Sequence, residues 1–162
     1  MFNKAKEFII RVSRSEYCFF TLSGPTETGK TFLLNEMYRF FKLERESLNL
    51  KFGSEIIREP FEKLVSGILE DGERYFRRIE KCAILIADDL LHFNKQNAYS
   101  EVVVDLTYRI LNRRSGKPTI MDTNKSIDDV QSIDERISSR LFRDGSIFID
   151  IPKTTKKFLD RT

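Results

Sequence analysis

GPTETGKT, residues 24–31, is a run of small and polar residues between an aromatic-rich stretch, 17–22, and an apolar stretch of helical spacing, 31–41. It satisfies G-x-x-x-x-G-K-[S/T], and the context that gives this spacing meaning is a strand before it and a helix after it. Gly24 and Gly29 let the loop Gly24, Pro25, Thr26, Glu27, Thr28 and Gly29 bend so that several of its backbone N–H groups point inward, forming a cradle for phosphate oxygens at the positive end of a helix. Lys30 then reaches the β- and γ-phosphates of a nucleotide, and the Thr31 hydroxyl holds a magnesium ion bridging them. The alternative is a glycine turn before an exposed lysine.

Outward from this loop the chain alternates strand-like and helix-like segments. Residues 17–22 form a short buried strand, and Phe32, Leu33, Leu34, Met37, Phe40 and Phe41 recur at helical spacing. Residues 48–52 alternate like a short strand, and 55–70 is polar and helix-compatible. CAILIA, residues 82–87, is a continuous apolar run of the kind found in a parallel strand covered on both faces. Val102, Val103, Leu106 and Ile110 mark a helix over 98–114, stopped by Gly116 and Pro118. Strands are expected at 119–121 and 146–151. Ser126 and Ser132 each precede an acid by three residues, Asp129 and Glu135, which predicts two capping boxes. The fold class expected is α/β with a central parallel sheet.

The chain has 162 residues, room for one domain spanning 1–162, and a net charge of +3 that permits nucleic-acid contact without demanding it. No apolar run reaches the roughly 18 residues of a membrane span, and the N-terminal stretch lacks the features of a leader, so a cytoplasmic protein without membrane contact is expected. Cys18 and Cys82 lack the spacing of a zinc site or redox pair and are expected as buried free thiols. His92, the single histidine, is expected on the surface.

Three further stretches carry chemistry. Asp88 and Asp89 follow CAILIA at the carboxyl end of the sheet, where one carboxylate can serve a magnesium shell and the next can polarise an attacking water. In PTIMDTNKS, residues 118–126, Asn124 ends a strand and can orient that water without adding charge. In SIDERISSRLFRDG, residues 132–145, Arg136, Arg140 and Arg143 form a stripe beside inward-facing Ile133, Ile137 and Leu141. That stripe is either a solvated basic face or a source of an arginine finger for a neighbouring subunit's γ-phosphate, an interaction worth roughly 10³ to 10⁵ in turnover.

In this order, GPTETGKT, ILIADD, TIMDTN and ERISSRLF resemble the AAA+ ATPase core of the helicase-loader group, DnaC and DnaI, with the transposition helper IstB and, more distantly, the initiator DnaA. The likeness runs from Tyr17 to Ile151. It implies a three-layer P-loop NTPase fold, ATP and magnesium as ligands, Asp88 as the Walker B metal acid, Asp89 as the water-polarising acid, Asn124 as sensor 1 and Arg140 as the finger, with Arg136 second. About ten residues follow Ile151, so a core without a C-terminal helical lid is expected, a trait that the resemblance to the loaders also implies. Asp89 stands where glutamate is common, and its shorter reach implies slow hydrolysis.

The expected function is an ATPase of DNA replication: a loader that self-associates on ATP, acts on a hexameric replicative helicase and contacts single-stranded DNA. Arg113, Arg114 and Lys117, with Lys153, Lys156 and Lys157, are candidates for the phosphate backbone. A viral superfamily 3 helicase core, an IstB-like helper, a P-loop kinase and a non-enzymatic nucleotide-bound module remain as alternatives. No Ser/His/Asp or Cys/His set is available for nucleophilic catalysis.

Overall fold

The computed structural model describes residues 1–16, 18–48, 50, 53–92, 100–143 and 145–152. Its elements run α1 (Phe2–Ser13), β1 (Phe19–Ser23), α2 (Lys30–Leu43), β2 (Ile56–Pro60), α3 (Phe61–Asp71), α4 (Glu73–Lys81), β3 (Ile84–Asp88), α5 (Glu101–Arg113), β4 (Thr119–Thr123), α6 (Ile127–Ile133), α7 (Glu135–Leu141) and β5 (Ile147–Asp150). The five strands form one parallel sheet in the order β2-β3-β4-β1-β5. The expected α/β class, with a central parallel sheet, is the one found.

The strands alternate their side chains between two cores, which is why they look continuously apolar in sequence. Phe20, Leu22, Ile84, Ile86 and Ile120 face one layer with Phe8 and Val12 of α1 and Leu34, Met37 and Phe41 of α2. Phe19, Leu85, Ala87 and Met121 face the other, with side chains from α3 to α7. Phe8 fixes the first layer, its ring centroid 5.4 Å from Phe20 and 6.4 Å from Phe41, edge-on to the latter. Both cysteines are buried and free. Among the described residues no helix is long and apolar enough to cross a membrane.

Two local expectations are corrected. The second described strand is 56–60; of the strand expected at 48–52, Leu48 closes a turn through its N–H to Glu44 O, 3.0 Å, and Asn49, Lys51 and Phe52 lie outside the described residues. IIREP disguises a strand because β2 pairs with β3 alone, an edge position that tolerates Arg58, Glu59 and Pro60. Within the segment 55–70, helix α3 therefore begins only after Pro60. Ser126 and Asp129 do form a capping box, but Ser132 does not: its hydroxyl donates to Asp128 O at 2.8 Å, and Asp134 caps α7 by accepting the Arg136 and Ile137 N–H groups. An acid adjacent to the helix start outcompetes a serine two residues earlier.

A buried cation holds the opposite end of the sheet. Arg114 is 0% exposed. Its guanidinium donates to Thr119 Oγ1, Ile79 O, Cys82 O and Pro118 O, at 3.0, 3.2, 2.8 and 2.6 Å. It thus ties α4, the start of β3 and the start of β4 together through their backbone carbonyls.

Candidate functional site

Placing β4 between β1 and β3 brings the carboxyl ends of three strands to one edge, so the loops after Ser23, Asp88 and Thr123 meet. There they border a cavity of about 830 Å³, lined on its polar side by Thr26, Glu27, Thr28, Gly29, Lys30, Thr31, Asp89, His92, Asp122 and Asn124.

The loop 24–29 is held by its own backbone. Gly24 has φ 146, and a Cβ there would stand 2.7 Å from Ile151 O, so glycine is required. Its N–H donates to Thr123 O at 3.2 Å. Thr28 Oγ1 donates to Pro25 O at 2.9 Å. Gly29, at φ 85, is the N-cap of α2, and among the described residues no side chain caps that helix. Its first-turn N–H groups are therefore available to an anion.

Lys30 is 5% exposed. Its ammonium donates to Gly24 O at 2.6 Å, Pro25 O at 2.7 Å and Asn124 Oδ1 at 2.9 Å. Burial pushes its pKa down, while Asp122 and Asp89 pull it back up. Asn124 completes a chain across the site, since its Nδ2 lies 3.4 Å from Asp89 Oδ1. The loop, the second acid of the pair and the asparagine thus converge as the sequence motifs anticipate.

Asp88 sits behind this group and does not line the cavity. Arg58 Nη2 donates to its Oδ2 at 2.9 Å. Arg58 also bonds Asn35, on α2 one turn beyond Thr31, and lies over the Tyr38 ring. The other carboxylate oxygen of Asp88, Oδ1, is buried and has no partner among the described residues. Burial raises the Asp88 pKa, and the Arg58 hydrogen bond opposes the rise. Among the described residues no three His, Cys, Asp or Glu side chains form a metal cluster of their own. The donor set nevertheless fits magnesium, which takes one or two protein oxygens and fills its shell with phosphate and water. The Thr31 hydroxyl and the unpartnered Asp88 oxygen would be those two.

Asp122 is the site residue that the motifs do not flag. It is 2% exposed, yet it lines the cavity. Its Oδ1 accepts the Asp89 N–H at 2.7 Å. Burial raises its pKa to about 6, with Asp89 and Asp88 adding to the rise and the Asp89 N–H and Lys30 opposing it. A raised carboxyl pKa stabilises the fold below the unfolded value of 3.8, and that contribution is lost as pH rises through about 6. Asp122→Asn removes this loss. Its unfolding free energy is expected to exceed that of the parent by on the order of 2 kcal/mol at pH 7.5, and to converge with it near pH 4, in urea titrations at both pH values.

Arg140 does not approach this cavity. It is half-buried in the α5–α7 seam, where Nη2 donates to Tyr108 Oη at 3.2 Å, the guanidinium lies 5.5 Å from the ring centroid, and Nε is buried without a partner. Arg136 lies across the same ring but is tied to Asp134 at 2.8 Å. Arg143 falls beyond α7 and bonds Ser115.

The proposed backbone contacts are corrected for the first group. Arg114 is enclosed as described above. Arg113 pairs with Glu73 at 2.9 Å and Glu80 at 3.1 Å, and Lys117 donates to Glu80 O at 2.8 Å. Packing of α4 on α5 and the sheet supplies partners that no local pattern shows. Lys153, Lys156 and Lys157 lie outside the described residues. His92 is exposed as expected, but at the cavity rim. Phe32, expected with the apolar helix face, is 60% exposed and lines the cavity with Met1 and Phe2.

No protein-family model matches the chain, and no curated protein matches it in sequence. Solved structures do match in fold. The AMPPCP-bound DnaA of Aquifex aeolicus superposes with TM-score 0.69 at 17% identity, covering 92% of this chain and 44% of that one. The DnaC helicase loader gives 0.68 at 16%, covering 92% of this chain and 86% of the loader. The Aeropyrum pernix ORC1 protein, solved in complex with DNA, gives 0.65 at 21%, covering 94% and 44%. The chain therefore spans less than half the length of these initiator structures. At these identities the likeness is one of fold: the chain shares the α/β fold of these DnaA, DnaC and ORC1 structures.

Proposed function

From that fold and the geometry of the cavity, we propose that residues 1–162 act as one ATP-binding and ATP-hydrolysing domain, a cytoplasmic DNA-replication factor of the helicase-loader kind. The observation that carries this reading is the chain of contacts from Lys30 through Asn124 to Asp89 along one wall of the cavity. Structural likeness to initiators and a loader supports the replication assignment.

In this reading the triphosphate lies along Thr26–Thr31, on the free amides that open α2. Lys30 leaves one or more loop carbonyls to meet the β- and γ-phosphates. Met1, Phe2 and Phe32 provide an apolar wall for the base. Thr31 and Asp88 would hold magnesium, which when bound offsets charge on the phosphate oxygens. Asp89 polarises the attacking water, and Asn124 fixes that water's orientation relative to the acid. Arg140 is absent from its own chain's cavity, which suits a group offered to the γ-phosphate of a second copy. Self-association on ATP, contact with a hexameric helicase and contact with single-stranded DNA follow from the same reading.

The test is phosphate release from ATP by the purified chain. Release is expected with magnesium, and excess EDTA is expected to remove at least about 90% of it, since the reaction's charge stabilisation depends on the divalent ion. Release indifferent to EDTA overturns the assignment of Thr31 and Asp88.

A further inference from the structure

The turn that carries Asp89 is unusual. Asp89 has φ 59 and Leu91 φ 61, both in the left-handed region that side-chain-bearing residues seldom occupy. Such a turn persists only when its surroundings over-determine it. Here the surroundings are the last residues of β4 and the one after it. Asp122 Oδ1 accepts the Asp89 N–H at 2.7 Å, and Asp122 O accepts the Leu90 N–H at 2.7 Å. Thr123 Oγ1 donates to Leu90 O at 2.8 Å, and Asn124 Nδ2 approaches Asp89 Oδ1. Of these links, only the Asp122 carboxylate both grips the backbone of Asp89 itself and lines the cavity.

We infer that Asp122 is a positioning residue for the reaction proposed above: its carboxylate oxygen fixes the backbone of Asp89 so that the Asp89 side chain faces the attacking water. This rests on the reading of the cavity as an ATP site. A buried acid placed among two other carboxylates and one lysine opposes folding at neutral pH, as its raised pKa records. An amide would accept the same N–H without that opposition. The role assigned here is therefore geometric, carried by an acceptor oxygen rather than by charge, and the two substitutions that separate those properties are Asp122→Asn and Asp122→Leu.

The experiment uses the full chain. Exchange of the Asp89 amide hydrogen is followed by NMR, alongside kcat, KM and the Kd of a fluorescent ATP analogue. Asp122→Leu is expected to speed exchange at Asp89 and to lower kcat on the order of 10²-fold, the scale of a small misplacement of a reacting group, with KM and Kd changed by less than about threefold. Asp122→Asn is expected to restore both exchange protection and kcat to within about threefold of the parent. Equal kcat and exchange in the parent and Asp122→Leu overturn the proposal. So does an Asn variant as defective as the Leu variant, which would make charge the working property. Should Asp122→Leu fail to fold, Asp122→Ala, which also removes the acceptor oxygen, takes its place under the same criteria. If the parent releases no phosphate while exchange at Asp89 follows the expected order, the positioning stands and the ATPase assignment falls.

Discussion

Lys30→Ala is expected to weaken binding of a fluorescent ATP analogue by about 30-fold to several thousand-fold, corresponding to the roughly 2–5 kcal/mol lost when one partner of a desolvated charge pair is removed. Turnover at subsaturating ATP falls by at least the same factor. The size follows from where the ammonium sits. Lys30 is almost fully buried at the start of α2, and its three acceptors are two loop carbonyls and the Asn124 amide oxygen. Among the described residues no carboxylate is hydrogen-bonded to it, and burial lowers its pKa. A phosphate entering the loop therefore gives this cation its first direct anionic partner in a site shielded from water, where Coulombic attraction is far stronger than at a surface. The fold should survive, because the methylene stem can be lost while the loop keeps the Gly24 N–H bond to Thr123 O and the Thr28 Oγ1 bond to Pro25 O. Circular dichroism melts would confirm this, and a variant that melts like the parent yet binds ATP equally well would remove the phosphate site from residues 24–31.

Arg140→Ala is expected to leave nucleotide affinity unchanged and to cut turnover by about 10³- to 10⁵-fold, the range measured for arginine fingers. Arg140 is pre-oriented: its Nη2 is held by Tyr108 Oη and its plane rests on the Tyr108 ring, which limits the rotamer freedom lost when it engages a phosphate. Tyr108→Phe, which keeps the ring and drops the hydroxyl, should cost only several-fold. The decisive measurement mixes Lys30→Ala with Arg140→Ala. In a head-to-tail assembly an active interface needs an intact Lys30 on one side and an intact Arg140 on the other, so an equal mixture of two inactive proteins should recover about a quarter of parental turnover. No recovery, with co-assembly shown by sedimentation, excludes a shared site.

Much of this site was legible because its parts are local. GPTETGKT is one loop feeding one helix, CAILIA and the two aspartates are one strand and its exit, and Ser126 with Asp129 is one helix start. Each is specified within a few residues, where turn chemistry and hydrophobic pattern act directly. What failed to show was non-local. IIREP does not look like a strand until its edge position is known, and α4, with its many charges, is recognisable as helix mainly from the way Phe76 and Ile79 enter the core. Ser132 satisfies the spacing of a cap, but Asp134 is better placed and takes the role.

The amino-acid order by itself determined the alternation of parallel strands with helices, the glycine-bounded loop at the start of α2, the acid pair at the end of β3 and the asparagine after β4. It did so because backbone conformation and burial period are written into neighbouring residues. Tertiary structure alone decided which distant groups became partners: Arg58 on Asp88 across 30 residues, Asp122 on the Asp89 amide across 33, Arg140 on Tyr108 across 32, and Arg114 enclosed by carbonyls rather than displayed to solvent. The reason is the insertion of β4 between β1 and β3, a choice of strand order made by packing of whole layers. That choice sets which strand ends come within hydrogen-bond reach, and hence which charges are shielded from water.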